Sequence, residues 1–256
     1  MTARARLLAA AVAAAAAAAA RAQTMLDQEE RLIDIHALLL DLPPLQAPGA
    51  LRPGALDASL EAVTIPRIDG TTGSKRQITA SDRTPVFPRP RLAVGLPAPE
   101  GFRAFAGLSY IPPVPVREVS TNAAAAEAGL AWAPGPLRVG LRAHALWARA
   151  RAPVTDPATR DVLEARAWGA ELSAGAPLEI AGARVEPYAG AGLVALRGRF
   201  RVTSDGAVLR SAFAGPALHV GVRVLVRSRW ELVTEVDGYP RRLVHTDVRL
   251  GYVFGG

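Results

Sequence analysis

The chain contains no cysteine, a single lysine (Lys75) and few aromatic residues, 5% of its 256 positions. Without cysteine it has no disulfide framework, no thiolate zinc centre and no thiol nucleophile. Its length is enough to bury a core without such staples. After Ala22 it also lacks any apolar run of the roughly 20 residues that a membrane-spanning helix needs, because Arg, Glu, Gly or Pro interrupts each one. Lys and Arg together number 30, but the arginines are scattered through the chain and form neither a basic patch nor a recognition module. No nucleic-acid partner is expected.

The N-terminus carries an address. Arg4 and Arg6 precede an apolar run from Leu7 to Ala20, and Ala20-Arg21-Ala22 offers a small-residue cleavage site. This is the pattern of a secretory signal over residues 1–22. Its removal takes away Arg4, Arg6 and Arg21 and lowers the formal net charge from +7 to about +4. The mature chain is then either soluble beyond the inner membrane or a β-barrel in an outer one.

Residues 23–56 read as an N-terminal segment, periplasmic or lumenal. Within it a short helix is expected over about 24–43, from the Asp27/Glu30 capping spacing and the recurrence of Leu32, Ile35, Leu39 and Leu40. Residues 57–256 read as one β domain. A strand is expected at 58–65, then a long outer loop over 66–90. The Gly-rich stretch Asp69–Arg76 lies in that loop and lacks the spacing and the following helix of a phosphate loop. Nine further strands are expected at 91–97, 102–112, 120–133, 137–150, 162–176, 183–201, 208–226, 229–237 and 242–254. Short turns and longer loops alternate between them, as at the two ends of an outer-membrane barrel.

Strand side chains alternate faces, and this chain sorts its residues accordingly. From 244 to 254 one parity is Val, Thr, Val, Leu, Tyr, Phe, and the other holds His245, Asp247, Arg249 and Gly251. The same division sets Glu127, Arg138, Arg142, His144, Glu171, His219, Arg223, Glu231 and Glu235 on the polar parity. A dry sandwich core cannot hold so many unpaired charges. In a barrel lumen opposite signs pair across strands, and these twelve residues are the expected lumen-facing set. Charges of both signs there also oppose strong ion selectivity. Trp132, Trp147, Trp168, Trp230, Tyr110, Tyr252 and Phe254 fall near strand ends on the apolar parity, where an interfacial girdle sits.

Nothing in the sequence has the spacing of a metal centre. His36, His144, His219 and His245 lie apart, and no metal or cofactor is expected. Ser211 with His219, and His245 with Asp247, are the local combinations with catalytic residue types, but neither forms a motif with a mechanism. No catalytic residue is assigned and no enzyme activity is expected.

Glu186-Pro187-Tyr188-Ala189-Gly190-Ala191-Gly192 resembles the P-Y-x-G-x-G strand of small outer-membrane β-barrel proteins. Val248–Phe254 resembles their terminal sorting strand, here followed by Gly255 and Gly256. Phe87–Arg91 with Tyr110–Pro113 is similar to fatty-acid-transporter-like barrels. The resemblance implies an antiparallel transmembrane β-barrel of about ten strands, with eight and twelve open, in the outer membrane of a Gram-negative envelope. Its expected partners are outer-membrane lipid and the barrel-assembly machinery, with the oligomeric state undetermined. The implied roles are a narrow pore, an uptake path for an apolar solute, or a structural barrel. The alternative is a soluble periplasmic or secreted barrel that turns its Leu/Val faces inward around a small apolar ligand.

Overall fold

The computed structural model describes residues 37–38, 46–49, 51–64, 87–116, 118–133, 135–153, 158–180, 182–227, 229–240 and 243–255. The expected signal segment and most of the expected N-terminal helix lie outside these. Of that helix only Ala37 and Leu38 are described, in helical conformation. Among the described residues no helix is long and apolar enough to cross a membrane.

Twelve strands form in chain order: β1 (Leu56–Thr64), β2 (Phe87–Leu96), β3 (Phe102–Ile111), β4 (Pro115–Val116), β5 (Val119–Trp132), β6 (Arg138–Ala152), β7 (Asp161–Gly175), β8 (Leu178–Ile180), β9 (Ala183–Arg201), β10 (Val208–Val226), β11 (Trp230–Tyr239) and β12 (Leu243–Phe254). Two of them, β4 and β8, are short spurs paired only to β5 and β9. The other ten form an antiparallel wall, and the pairing of β12 with β1 closes it into a barrel. Sequence alternation places these strands to within a few residues. The stretch Phe87–Pro90, expected in the outer loop, is instead the start of β2. Its prolines are exposed on the outer face while Arg89 and Arg91 point inward and are buried.

The registers accumulate an offset of about 12 residues per circuit, which for ten strands sets a tilt of about 40° and a backbone radius of about 10 Å. Such a lumen is slightly wider than one that its own side chains can fill. The end where β1 begins and β12 finishes is called the lower end. The β2–β3, β5–β6 and β10–β11 connections lie there, whereas β6–β7, β9–β10 and β11–β12 connect at the upper end.

The outer wall is apolar over a band. Leu108, Trp168 and Leu193 are 67%, 63% and 66% exposed, and a continuous apolar surface of this kind marks a membrane or a partner. On β12 the outward residues from Val244 to Phe254 span about 25 Å at a rise of about 3.3 Å per residue and this tilt, the height of the lipid-facing band of a transmembrane barrel. Two aromatic groups bound it. Phe102 pairs with Trp132, and Trp230 pairs with Tyr252, at the lower edge. The Trp230 and Tyr252 rings meet edge to face at 5.0 Å, with Phe254 4.7 Å beyond. Tyr110, Trp147 and Trp168 lie outward at the upper edge, about 20 Å away along the barrel axis. Leu60, Leu250 and Leu232 form one cross-strand row between the two edges. Leu250→Arg is expected to lower folding stability in lipid by about 2–4 kcal/mol, measured by urea titration in vesicles. In a barrel with water outside, the same change leaves stability within about 0.5 kcal/mol.

Four strands reverse their polarity partway up. On β6 the inward residues run Arg138, Gly140, Arg142, His144, then Leu146 and Ala148. Its outward residues run Val139, Leu141, Ala143, Ala145, Trp147, then Arg149 and Arg151. The strands β7, β9 and β10 change in the same sense: Leu163, Ala165, Val194, Leu196 and Ala217 face in, while Arg166, Arg197, Arg199 and Arg210 face out. Below the change the wall has the faces of a membrane barrel. Above it, the wall has those of a water-soluble one, apolar inside and charged outside. Read as sequence, these two arrangements are rival folds, each with one polarity per parity. The structure corrects that expectation, because the two occupy successive heights of the same strands.

Candidate functional site

The lumen is an enclosed chemical environment built by all ten wall strands. Each of Glu127, Arg138, Arg142, His144, Glu171, His219, Arg223, Glu231, Glu235, His245, Asp247 and Arg249 sits on the inward parity and is buried. Their lower members join five further residues, Asp57, Glu61, Arg89, Arg91 and Glu186.

Together they make a belt of alternating charge. Glu127 on β5 accepts from Arg91 on β2, whose Nη1 donates to Asp57 Oδ2 on β1 at 2.8 Å. The same Asp57 oxygen accepts from Arg249 Nη1 on β12 at 2.6 Å, and Arg249 also pairs with Glu231 on β11. Glu231 Oε2 accepts from Arg223 Nε on β10 at 2.8 Å. Arg223 Nη1 then reaches Glu186 Oε2 on β9 at 3.3 Å, and Arg138 Nη1 on β6 reaches that oxygen at 3.1 Å. A branch ties Arg89 Nε to Glu61 Oε2 at 2.6 Å. Eight of the ten wall strands contribute. On β3 the position is taken by Gly107, where a Cβ would lie 2.5 Å from Glu127 Oε1. The Glu127 carboxylate therefore crosses β3 to meet Arg91 only because nothing stands between them. In so buried a site each partner compensates the desolvation of the next, and a single missing member leaves the belt with one uncompensated charge.

Above the belt, Arg142 pairs with Glu171, whose oxygens also lie 3.6 Å from His144 Nδ1 and 3.5 Å from His219 Nδ1. Beside it, Glu235 and Asp237 on β11 stand opposite Asp247 and His245 on β12. His245 Nδ1 lies 3.0 Å from Asp247 Oδ1, and the His245 ring stacks on Tyr239 with centroids 5.9 Å apart. Candidate ligand atoms of Asp237, His245 and Asp247 fall within 4.8 Å of one another. These are donor types that hold divalent cations, but three neighbouring residues do not make a coordination shell, and no metal centre is assigned. Ser211 and His219 share the inward face of β10, eight residues apart, with a spacing along the strand of about 26 Å. That distance separates the two as a nucleophile–base pair.

Described parts of the chain's own N-terminal segment lie inside the lumen. Ala37 and Leu38 are fully buried in the apolar upper lumen among Ile111, Leu146, Ala148, Leu163 and Leu243. Lower down, Gln46 Oε1 accepts from Arg91, and the Gly49 carbonyl accepts from Arg103 Nη1 at 3.1 Å. Ala47 packs with Tyr188 and Val233. Pro48 fits against Gly140, where a Cβ would come within 2.9 Å of the proline Cβ. The described parts thus lie at two levels, Ala37–Leu38 in the upper chamber and Gln46–Gly49 below it, and the backbone joins the wall through Gly54 N to Gly95 O at 2.9 Å. A cavity of about 10 Å3 beside Gln46–Gly49, Phe105 and Arg142 is room for about one water.

The twelve residues set on the polar parity of β5 to β12 are all buried. Parity misses Asp57, Glu61, Arg89 and Arg91, because the inward face of β1 does not stand out in so short a strand and the start of β2 reads as loop. Alternation through Arg89, Arg91 and Ala93 is the available signal. Glu186 is in view, inside the P-Y-x-G-x-G stretch, but its partners Arg138 and Arg223 lie 48 and 37 residues away, beyond any local pattern.

A closed antiparallel barrel, lipid-type outside and charge-belted inside, is the class that these features define. No protein-family model and no curated protein matches the chain. The solved structures it resembles are outer-membrane β-barrels. The toluene transporter TodX of Pseudomonas putida aligns over 90% of this chain and 73% of its own, with 11% identity and a TM-score of 0.34. The translocator domain of the autotransporter NalP from Neisseria meningitidis aligns over 90% and 95%, with 10% identity and a TM-score of 0.39. The N-terminal barrel domain of OprF from Pseudomonas aeruginosa aligns over 79% and 98%, with 10% identity and a TM-score of 0.31. At identities and scores this low the likeness carries no functional argument.

Proposed function

We propose that this protein is an outer-membrane barrel closed by its own N-terminal segment, a structural barrel in place of an open pore or a standing uptake path. The observation that carries the reading is the lumen itself. The belt from Glu127 to Arg138 spans it, and Gln46–Gly49 fill its middle with hydrogen bonds to Arg91 and Arg103. Each arginine of the belt is bound to a carboxylate, and the cavity beside Gln46–Gly49 is about one water in size.

Membrane placement is supported by the apolar band between two aromatic edges, a height that fits the lipid-facing zone of known barrels. The test is to express the full chain with its signal, separate the membranes, and run the outer-membrane fraction on a gel with and without boiling. The protein is expected in that fraction, with unboiled samples migrating differently from boiled ones. Recovery in the soluble periplasmic fraction with no change on boiling would overturn the proposal.

A further inference from the structure

The polarity reversal leaves an outward surface that neither the lumen nor the apolar band explains. Cross-strand register places Arg149, Glu164, Arg199 and Arg210 in one row over β6, β7, β9 and β10. The row below pairs Arg166 directly with Arg197. The row above holds Arg151 opposite Val162, which is opposite Arg201. Seven arginines thus share a patch with one carboxylate. Among the described residues its one ion pair is Arg149 Nε to Glu164 Oε1, at 3.7 Å and more than a third exposed on both sides.

Like charges directly opposite on neighbouring strands are destabilising, and here Arg166 faces Arg197 and Arg199 faces Arg210 with no carboxylate between them. An anion supplied from outside relieves both pairs. Position specifies its source. The lowest arginine row includes Trp147, which is paired with Arg166, so the patch begins at the upper edge of the lipid-facing band. Headgroups lie at that height. Planar guanidinium groups bind phosphate oxygens in pairs, and several arginines on adjacent strands offer such forks side by side.

We propose that the outward face of the upper β6–β7–β9–β10 sheet binds phosphate groups of lipid headgroups in the adjoining leaflet. This rests on the reading of the chain as an outer-membrane barrel. The bound headgroups hold the tall side of the barrel at a fixed depth and neutralise the opposed arginines.

The test uses the full-length protein in detergent, with retained lipid counted by native mass spectrometry. Three probes are compared: a lipid with a phosphomonoester headgroup, a zwitterionic phosphocholine lipid, and inorganic phosphate. The wild type is expected to retain the phosphomonoester lipid well above the other two. The triple variant Arg197→Gln/Arg199→Gln/Arg210→Gln is expected to lose affinity on the order of 100-fold, about fivefold for each arginine near an anionic surface. If the triple variant does not fold, the three single variants carry the test, each with its fivefold loss. Equal retention by wild type and variants overturns the proposal. Inorganic phosphate binding as tightly as the lipid overturns it also, by showing an anion site with no lipid role. A protein that fractionates with the outer membrane but shows either result defeats this inference alone, whereas recovery in the soluble fraction defeats the reading beneath it.

Discussion

Deletion of residues 23–49 is expected to turn a silent barrel into a conducting one. In planar bilayers the undeleted protein should show no steady current steps, because Ala37 and Leu38 sit in the upper lumen and Gln46–Gly49 below them. The deletion leaves the wall strands intact, and it keeps Leu51 and Ala55, which pack under Phe105 and Val253. It removes the proline seated against Gly140 and the partner of Arg103. With a backbone radius of about 10 Å, the emptied lumen admits water beside the charged belt, and discrete steps with weak ion preference should follow. Weak preference is expected because arginines and carboxylates alternate around the path. Steps of the same size in the undeleted protein would show that the segment does not close the barrel.

The second large effect is at Arg249. Its guanidinium is fully buried and bridges Asp57 and Glu231, two carboxylates of the belt on different strands. Arg249→Ala leaves Asp57 with Arg91 alone and Glu231 with Arg223 alone, so the belt holds one buried negative charge in excess, at a cost of about 3–5 kcal/mol. The measurement is the urea midpoint of the refolded barrel in vesicles, followed by its heat-modifiable gel mobility. Arg249→Met combined with Asp57→Asn removes one charge of each sign, leaves Arg91 with Glu127 and Glu231 with Arg223, and is expected to recover most of the loss, since a buried ion pair and a well-packed neutral substitute are close in stability. A single variant as stable as the wild type would mean that the belt is hydrated and that its pairs are worth no more than surface ones.

How much of the architecture is legible in the sequence depends on range. Alternation in Leu137–Trp147 and Leu243–Phe254 gives strands, faces and lumenal residues, because a strand's two faces see two environments over its pairing length. Aromatics on the apolar parity mark the edges of the band for the same reason. Beyond that, parity has no height. It cannot show that Arg138 and Leu146, on one face of β6, stand in a charged belt and an apolar chamber respectively. Nor can it show that the outward face passes from Trp147 to Arg149 at the same level. Height is set by register, and register by the offset of about 12 residues per circuit, which involves all ten wall strands at once. The path of the N-terminal segment is equally out of reach. Gln46 meets Arg91 from 45 residues away, and Gly107 and Gly140 read as ordinary strand glycines until Glu127 and Pro48 are placed against them.

The polarity reversal is directly measurable, because the chain has no native cysteine. Single cysteines at Leu250, in the middle of the outer band, and at Arg199, on the outer face above it, report the two heights when the folded protein is in membranes. Leu250→Cys is predicted to resist a membrane-impermeant maleimide and, once carrying a fluorophore, to be quenched by brominated lipid tails. Arg199→Cys is predicted to react readily with the same reagent and to escape that quenching. Equal, rapid labelling of both positions from water would contradict the account.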